Sequence, residues 1–175
     1  PTKYWNDPKW HIANHPVVGV TWYEAVAFCR WLSAKTGQDI RLPTEAEWEK
    51  AARYPDGCIY PWGNEYKEGY ANIDETVGDA GANYLQRTTA VGIYPQGVNP
   101  AHGALDMSGN VWEWCQSKFA SSYQFPEDND GNGTDVRVLR GGSWYDFRDN
   151  ARAVLRYDIN PSYWDGGVGF RCARS

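Results

Sequence analysis

Residues 41–49 read Arg41-Leu42-Pro43-Thr44-Glu45-Ala46-Glu47-Trp48-Glu49 and contain the clearest helix start in the sequence. The side chain of Thr44 can accept a hydrogen bond from the backbone of Glu47, whose carboxylate can reach back to Thr44, and this capping box begins α-helices. We predict a helix that starts after Thr44 and ends at Tyr54-Pro55, because proline cannot continue it. Its apolar stripe at helical spacing consists of Trp48, Ala51 and Ala52.

A second capping box lies upstream of this stretch. Thr21 and Glu24 have the same spacing and predict the start of another helix. Gly37 is placed to end that helix, because glycine readily takes the left-handed conformation of a C-terminal cap. The apolar positions between these signals are Ala25, Phe28, Cys29 and Leu32. The first third of the chain therefore contains two helices.

Beyond the second helix the pattern changes to short apolar runs separated by Gly, Pro, Asn and Asp, which is typical of brief strands and loops. We predict strands at 111–115, 136–140, 151–157 and 168–173. The chain has 175 residues, with aromatic residues at 15%, and this length fits one domain with its own core. The sequence predicts a loop-rich α+β domain.

Composition excludes several classes of partner. The formal net charge is −5, which argues against nucleic acid, because phosphate backbones are bound by clustered Lys and Arg. No long uncharged apolar run is present, so we predict no membrane span. The first residues lack the features of a signal peptide, and the compartment is left undetermined. The cysteines are widely spread and form no CxxC pair, so they do not predict a zinc site.

Several phrases in order along the chain carry a family resemblance. They occupy residues 15–22, 41–49, 60–63, 109–114, 139–144 and 169–173. In content and order they resemble the formylglycine-generating enzyme, or sulfatase-modifying factor, family. The resemblance implies one domain over 1–175 with an irregular C-type-lectin-like fold, two helices and a small twisted, mainly antiparallel sheet. That family opens with a strand and loop before the first helix, so we expect its N-terminal segment to be missing from this sequence or supplied elsewhere.

The resemblance also identifies where catalysis would occur. Enzymes of the family hold copper with two cysteines that follow the Gly-Gly-Ser-aromatic turn, and soft Cu(I) requires thiolates. Asp146 and Ala151 occupy those two positions here, so we expect no copper and lean towards a protein that is not an enzyme. An oxidoreductase with non-standard chemistry stays open as an alternative. Cys29 and Cys172 match positions that pair structurally in the family, which implies a disulfide between them.

The resemblance further implies calcium. Its ligands would be the side chains of Asp106 and Glu113 with the carbonyls of Gly109 and Val111, an oxygen set that suits Ca²⁺. The open alternative is that Asp106 caps a turn while Glu113 pairs with an arginine. A second, weaker site would use Asn72 and Asn83 with the carbonyls of Ile73 and Leu85.

Residues 140–173 also resemble the variable region of diversity-generating-retroelement proteins. Rigid rings mixed with small polar and acidic residues are typical of recognition surfaces. We therefore predict one exposed face that binds a protein or another macromolecule, formed by Tyr145, Asp146, Phe147, Asp149, Tyr157, Asp158, Ser162, Tyr163, Trp164 and Asp165. A purely structural module of a larger protein is the remaining alternative, which exposure of these side chains would disfavour.

Overall fold

The computed structural model describes residues 3–122 and 126–175; of the predicted domain 1–175, residues 1, 2 and 123–125 lie outside the described residues. Both predicted helices are present, α1 over Trp22–Thr36 and α2 over Glu45–Arg53. Each begins with the predicted reciprocal capping box, and Gly37 ends α1 in the left-handed conformation with φ 69°. No helix in this described part of the chain is long and apolar enough to cross a membrane.

Within the described residues, six short strands form two sheets. They are β1 (Ile40–Arg41), β2 (Trp112–Lys118), β3 (Arg137–Arg140), β4 (Arg156–Ile159), β5 (Val168–Gly169) and β6 (Ala173–Arg174). The larger sheet has the order β4-β3-β2-β5, and β1 pairs with β6 in the smaller one. The β2–β3 and β3–β4 pairs are antiparallel, but β5 runs parallel to β2. The sheet is therefore mixed, with the predicted antiparallel character in two of its three pairs.

The strand predicted at 151–157 is largely wrong. Only its end belongs to β4, which begins at Arg156, and residues 151–155 lie mainly in turns. The carbonyl groups of Ala153 and Val154 accept hydrogen bonds from the Arg140 guanidinium, at 2.8 Å and 3.3 Å. A buried arginine thus satisfies carbonyls that a neighbouring strand would otherwise bind, and sequence periodicity does not reveal such a partner.

Three fully buried tryptophans pin the elements together. The indole N–H of Trp22 donates to the Cys115 carbonyl at 2.9 Å, and that of Trp114 donates to the Val20 carbonyl at 3.0 Å. Trp48 of α2 donates to the Glu113 carboxylate at 2.6 Å. Each ring therefore fills core volume while its single polar atom is satisfied, as burial of tryptophan requires.

A buried ion network joins α2 to the larger sheet. Arg140 of β3 is fully buried, and its guanidinium donates to Glu45 at 3.0 Å and to Glu49 at 2.7 Å, both on α2. Arg156 of β4 donates to the same Glu45 carboxylate at 2.6 Å and 2.9 Å. Glu45 is itself fully buried, so its charge depends on these two cations.

The sulfur atoms of Cys29 and Cys172 are in contact, 3.8 Å apart. Cys29 is buried on α1, and Cys172 is exposed immediately before β6. Their contact and burial raise the pKa of the Cys29 thiol, whereas the same contact lowers the pKa of Cys172 to about 7. The predicted disulfide stays a prediction, and the exposed Cys172 thiolate is the group that would begin it.

We expect Glu45→Gln to lower the free energy of unfolding by on the order of 3 kcal/mol, because a neutral amide would leave the buried guanidinium of Arg140 poorly compensated. Urea denaturation measures this loss. The matched control is Glu47→Gln on the same helix, whose ion pair with Arg41 is partly exposed and should contribute about 1 kcal/mol or less. Equal losses in the two variants would contradict the importance of the buried network.

We expect mild oxidation to link Cys29 to Cys172, which peptide mass spectrometry without reductant would detect. The link should stabilise the chain by about 2–5 kcal/mol, since it closes a long loop. Adding reductant should therefore lower the stability of the oxidised protein and leave Cys172→Ser unchanged. Cys58→Ser is the control that keeps both sulfurs; absence of the linked peptide after oxidation of that control would count against the pair.

Candidate ligand-binding face

The predicted binding residues surround one side of the larger sheet. Strand β4 contributes Tyr157 and Asp158, and two loops, at 143–150 and 160–167, contribute the rest. The loop at 143–150 is anchored by its own turns, since the amide of Asp146 donates to the Ser143 carbonyl at 3.1 Å. We call this surface the aromatic–acidic face, defined by the ten predicted residues of the sequence analysis.

Most side chains of the aromatic–acidic face are exposed. Tyr157 is the most open of its large rings at 51%, and Trp164 the least at 37%. Asp146 and Asp165 differ from the other eight residues because they are partly buried. The aromatic–acidic face therefore combines an open rim of rings with two acids set below it.

The Asp146 carboxylate is fixed by the residues around it. Its Oδ2 atom accepts from the Ser143 amide at 3.0 Å, from the Ser143 hydroxyl at 2.5 Å and from the Trp112 indole at 2.8 Å. Burial raises the pKa of Asp146, these hydrogen bonds lower it, and the negative charge of Asp165 raises it again. Asp146 thus anchors the loop as well as supplying charge.

Asp165 is tied to both loops. Its Oδ1 atom accepts from the Tyr145 hydroxyl and from the Gly167 amide, each at 2.8 Å. Burial and this carboxylate raise the pKa of the Tyr145 hydroxyl. The pair holds the Tyr145 ring against the loop that carries Tyr163.

A cavity of about 290 Å³ opens between these elements. Its rings are Trp112, Tyr145, Tyr157 and Tyr163, its aliphatic floor is Leu139, Ile159 and Val168, and its polar side chains are Asp146 and Asn150. Sequence reasoning missed Trp112 and Asn150 as cavity residues. The tryptophan pattern indicated a core role for Trp112, and its ring does lie against the sheet while one edge lines the cavity. Asn150 carries no sequence signal beyond its place within 140–173.

Trp164 lies apart from the cavity, among residues of the N-terminal segment. Its ring meets Tyr4 edge to face at 5.9 Å, and the Lys3 ammonium lies 4.7 Å from the ring centroid. Tyr4 in turn packs on Trp10 at 5.3 Å. The remaining predicted residues, Phe147, Asp149, Asp158 and Ser162, are exposed but do not line the cavity.

The two positions that hold copper-binding cysteines in the family are in different surroundings. Asp146 lines the cavity, whereas Ala151 is fully buried in a cluster with Ala71 and Ile73. No cysteine within 3–122 or 126–175 lines the cavity. Carboxylate oxygen is a hard ligand and a methyl group is no ligand, so these two residues do not fit copper.

The first predicted calcium site contains an arginine. The Arg171 guanidinium donates to both oxygens of Glu113, at 2.5 Å and 2.7 Å, and to the carbonyl of Asp106 at 3.3 Å. The Asp106 carboxylate accepts from the Gly92 amide at 2.7 Å, and Gly109 donates its amide elsewhere. The Glu113–Arg171 pair matches one part of the alternative left open by the sequence, whereas Asp106 binds an amide 14 residues away. A cation beside Glu113 would have to displace Arg171.

At the second predicted calcium site the side-chain amide nitrogens bind other parts of the protein, whereas calcium would use the amide oxygens. The Asn72 amide donates to the Arg87 carbonyl at 2.9 Å and to Asn110 at 3.2 Å, while the Asn83 amide donates to Glu75 at 2.6 Å. Glu75, which the sequence did not indicate, is fully buried. Among the residues that the structure describes, no group of three or more His, Cys, Asp or Glu side chains could hold a metal ion.

Calcium at the first site stays an untested prediction of the family resemblance. The Arg171 pair favours the alternative, in which Glu113 binds no calcium, because the buried carboxylate is already neutralised. Calorimetry of chelator-stripped protein with CaCl₂ should therefore give no heat that depends on this residue. A binding heat that Glu113→Gln abolishes would instead support the site implied by the family resemblance. Asp56→Asn, at an exposed position on another surface, is the control.

Comparison with known proteins agrees with the fold. Residues 4–175 match the family model described as the sulfatase-modifying factor enzyme 1-like domain. "Serine/threonine-protein kinase pkn1" of Chlamydia pneumoniae is 40% identical over 170 residues, covering 93% of this chain and 24% of that protein. "Inactive C-alpha-formylglycine-generating enzyme 2" of Mus musculus is 38% identical over 169 residues, covering 91% of this chain and 49% of that protein.

A solved structure is similar over nearly the whole chain. "Treponema denticola variable protein 1" superposes with a TM-score of 0.76 at 27% identity, covering 98% of this chain and 76% of the other. The chain spans about a quarter to a half of the curated relatives it matches, so the comparison concerns this domain and not those whole proteins. The family model covers almost every residue, and the chain therefore belongs to the sulfatase-modifying factor enzyme 1-like domain family.

Proposed function

We propose that this domain is a non-catalytic recognition module that binds a protein partner through the aromatic–acidic face. The observation that carries the proposal is the ring of exposed tyrosines around a cavity in which Asp146 replaces the family's cysteine. Large rings left in water together are typical of interaction surfaces. The names of two similar proteins, an inactive enzyme and a variable protein, support this proposal of a non-catalytic recognition module.

Within the aromatic–acidic face, the rings and the polar residues have different roles in binding. Tyrosine and tryptophan bring large contact area at low entropy cost, and the acids and Ser162 at the rim can adapt their hydrogen bonds. The loops that carry these residues are fixed by Asp146 and Asp165, so little order has to be gained on binding. Diversification of residues 140–173 by a retroelement belongs to the same proposal, since a fixed scaffold tolerates exchange of outward side chains.

We expect Tyr163→Ala, at the cavity wall, and Trp164→Ala, beside the N-terminal segment, each to weaken binding by about 2 kcal/mol, roughly 30-fold, because large aromatic anchors carry most of the affinity of protein interfaces. Peptides selected from a phage-displayed random library against the purified chain provide the ligands. Their affinities for wild type and variants can be measured by interferometry, with melting temperature as the test of folding.

Trp31→Ala is the matched control, since Trp31 is 54% exposed on α1, away from the aromatic–acidic face. It should bind the selected peptides as wild type does. The aromatic–acidic face is not the binding surface if the peptides bind both face variants with unchanged affinity. The same conclusion follows if Trp31→Ala lowers the affinity of the peptides as much as the face variants do.

A further inference from the structure

The hydrogen-bonding atoms of the cavity differ in whether they already have a partner. The indole N–H of Trp112 already donates to Asp146 Oδ2, and the Tyr145 hydroxyl already donates to Asp165. In contrast, all three hydrogen bonds that Asp146 accepts from described residues reach Oδ2, so its Oδ1 stays available. The cavity thus offers an available acceptor atom, whereas its indole and hydroxyl donors are already used.

Asn150 contributes a second acceptor. It lines the same cavity, and its amide oxygen is buried without a hydrogen-bond partner among the described residues. A buried acceptor left unpaired costs about 1–3 kcal/mol. A ligand that brings N–H donors would relieve this cost, whereas a ligand that brings only acceptors or apolar groups would not.

The charges around the cavity have one sign. Asp146 lines it and Asp165 lies beside Tyr145, while no Lys, Arg or His side chain of the described residues lines it. Burial raises the pKa of Asp146, and the charge of Asp165 raises it further. A bound cation would favour the ionised carboxylate and offset both effects.

The walls of the cavity favour a flat cation. Four aromatic rings line it, and two of them, Trp112 and Tyr157, pack against each other with their centroids 5.6 Å apart. Cations are attracted to the faces of such rings. A guanidinium is planar, stacks on aromatic rings and is more weakly hydrated than an ammonium, so it loses less on entering a partly buried site.

We propose that the cavity receives the guanidinium of an arginine side chain from the protein partner. The proposal rests on the binding function proposed above and names the chemistry that enters the site. The guanidinium would donate to Asp146 Oδ1 and stack against the tyrosine rings, and a rotation of the Asn150 amide would bring its buried oxygen to the same group. The volume of about 290 Å³ is at the lower end for ligand pockets, which suits one side chain better than a whole small ligand.

The experiment uses N-acetyl-arginine amide as the probe and N-acetyl-citrulline amide as its neutral isostere. The indole N–H signal of Trp112 in ¹⁵N-resolved spectra reports binding, because this group lies at the cavity wall. We expect the arginine probe to bind with a dissociation constant on the order of 1 mM. The citrulline probe and N-acetyl-lysine amide should bind at least about tenfold more weakly.

Tyr157→Ala should weaken the arginine probe about tenfold, because it removes a stacking ring from an exposed position on β4. Tyr54→Ala is the matched control, since Tyr54 is equally open at 54% and lies just beyond α2. Asn150→Leu tests the unpaired acceptor and should also weaken the probe. Asp146 is left unchanged because it anchors the loop.

Equal binding of citrulline or lysine would overturn the assignment of a guanidinium, and binding that survives Tyr157→Ala would place the probe elsewhere. The library peptides separate the two proposals. Peptides that depend on Tyr163 and Trp164 but contain no arginine would overturn this inference and leave the binding function standing. An arginine probe that binds while no peptide depends on those rings would support a guanidinium site in the cavity but count against the proposed protein-binding surface, and with it against a protein partner as the source of the arginine.

Discussion

The fully buried guanidinium of Arg140 joins helix α2, strand β3 and the turn at 151–155. It binds two carboxylates of α2 on one side and the carbonyls of Ala153 and Val154 on the other. A buried charge without partners is costly. The helix, strand β3 and the turn at 151–155 are therefore all needed to surround this guanidinium. That turn connects the loop at 143–150 to β4, so the position of the cavity follows from the same constraint.

The aromatic residues divide into two groups with different tasks. Trp22, Trp48 and Trp114 are fully buried, and each indole N–H finds an acceptor on another element. The rings of the aromatic–acidic face keep one side in water. Trp112 belongs to both groups, because it packs on the sheet while its edge borders the cavity. The core tryptophans thus fix the positions of the elements that carry the exposed rings.

Asp146 explains how a scaffold of this family could change its chemistry without changing its fold. At the position where the family's enzymes carry a thiolate, its carboxylate binds the Ser143 turn and the Trp112 indole. A thiolate selects soft metals, whereas a carboxylate oxygen favours hard cations and N–H donors. Ala151 is buried among apolar side chains, so Asp146 alone of the two residues lines the cavity, where the proposed guanidinium would be its complementary group.

Local sequence signals predicted both helices, and the family phrases predicted the family, but the strand expected at 151–157 is largely absent. The capping boxes at Thr21 and Thr44 act within a few residues, so both helices could be predicted with their ends. The family phrases likewise placed the exposed rings in 140–173. Only the tertiary structure decided which side chains share an environment. The pairing of Arg171 with Glu113, the role of Arg140 in replacing a strand and the unpaired oxygen of Asn150 each join residues that are distant in sequence or depend on burial. Burial and long-range partners are properties of packing, and no spacing along the chain encodes them.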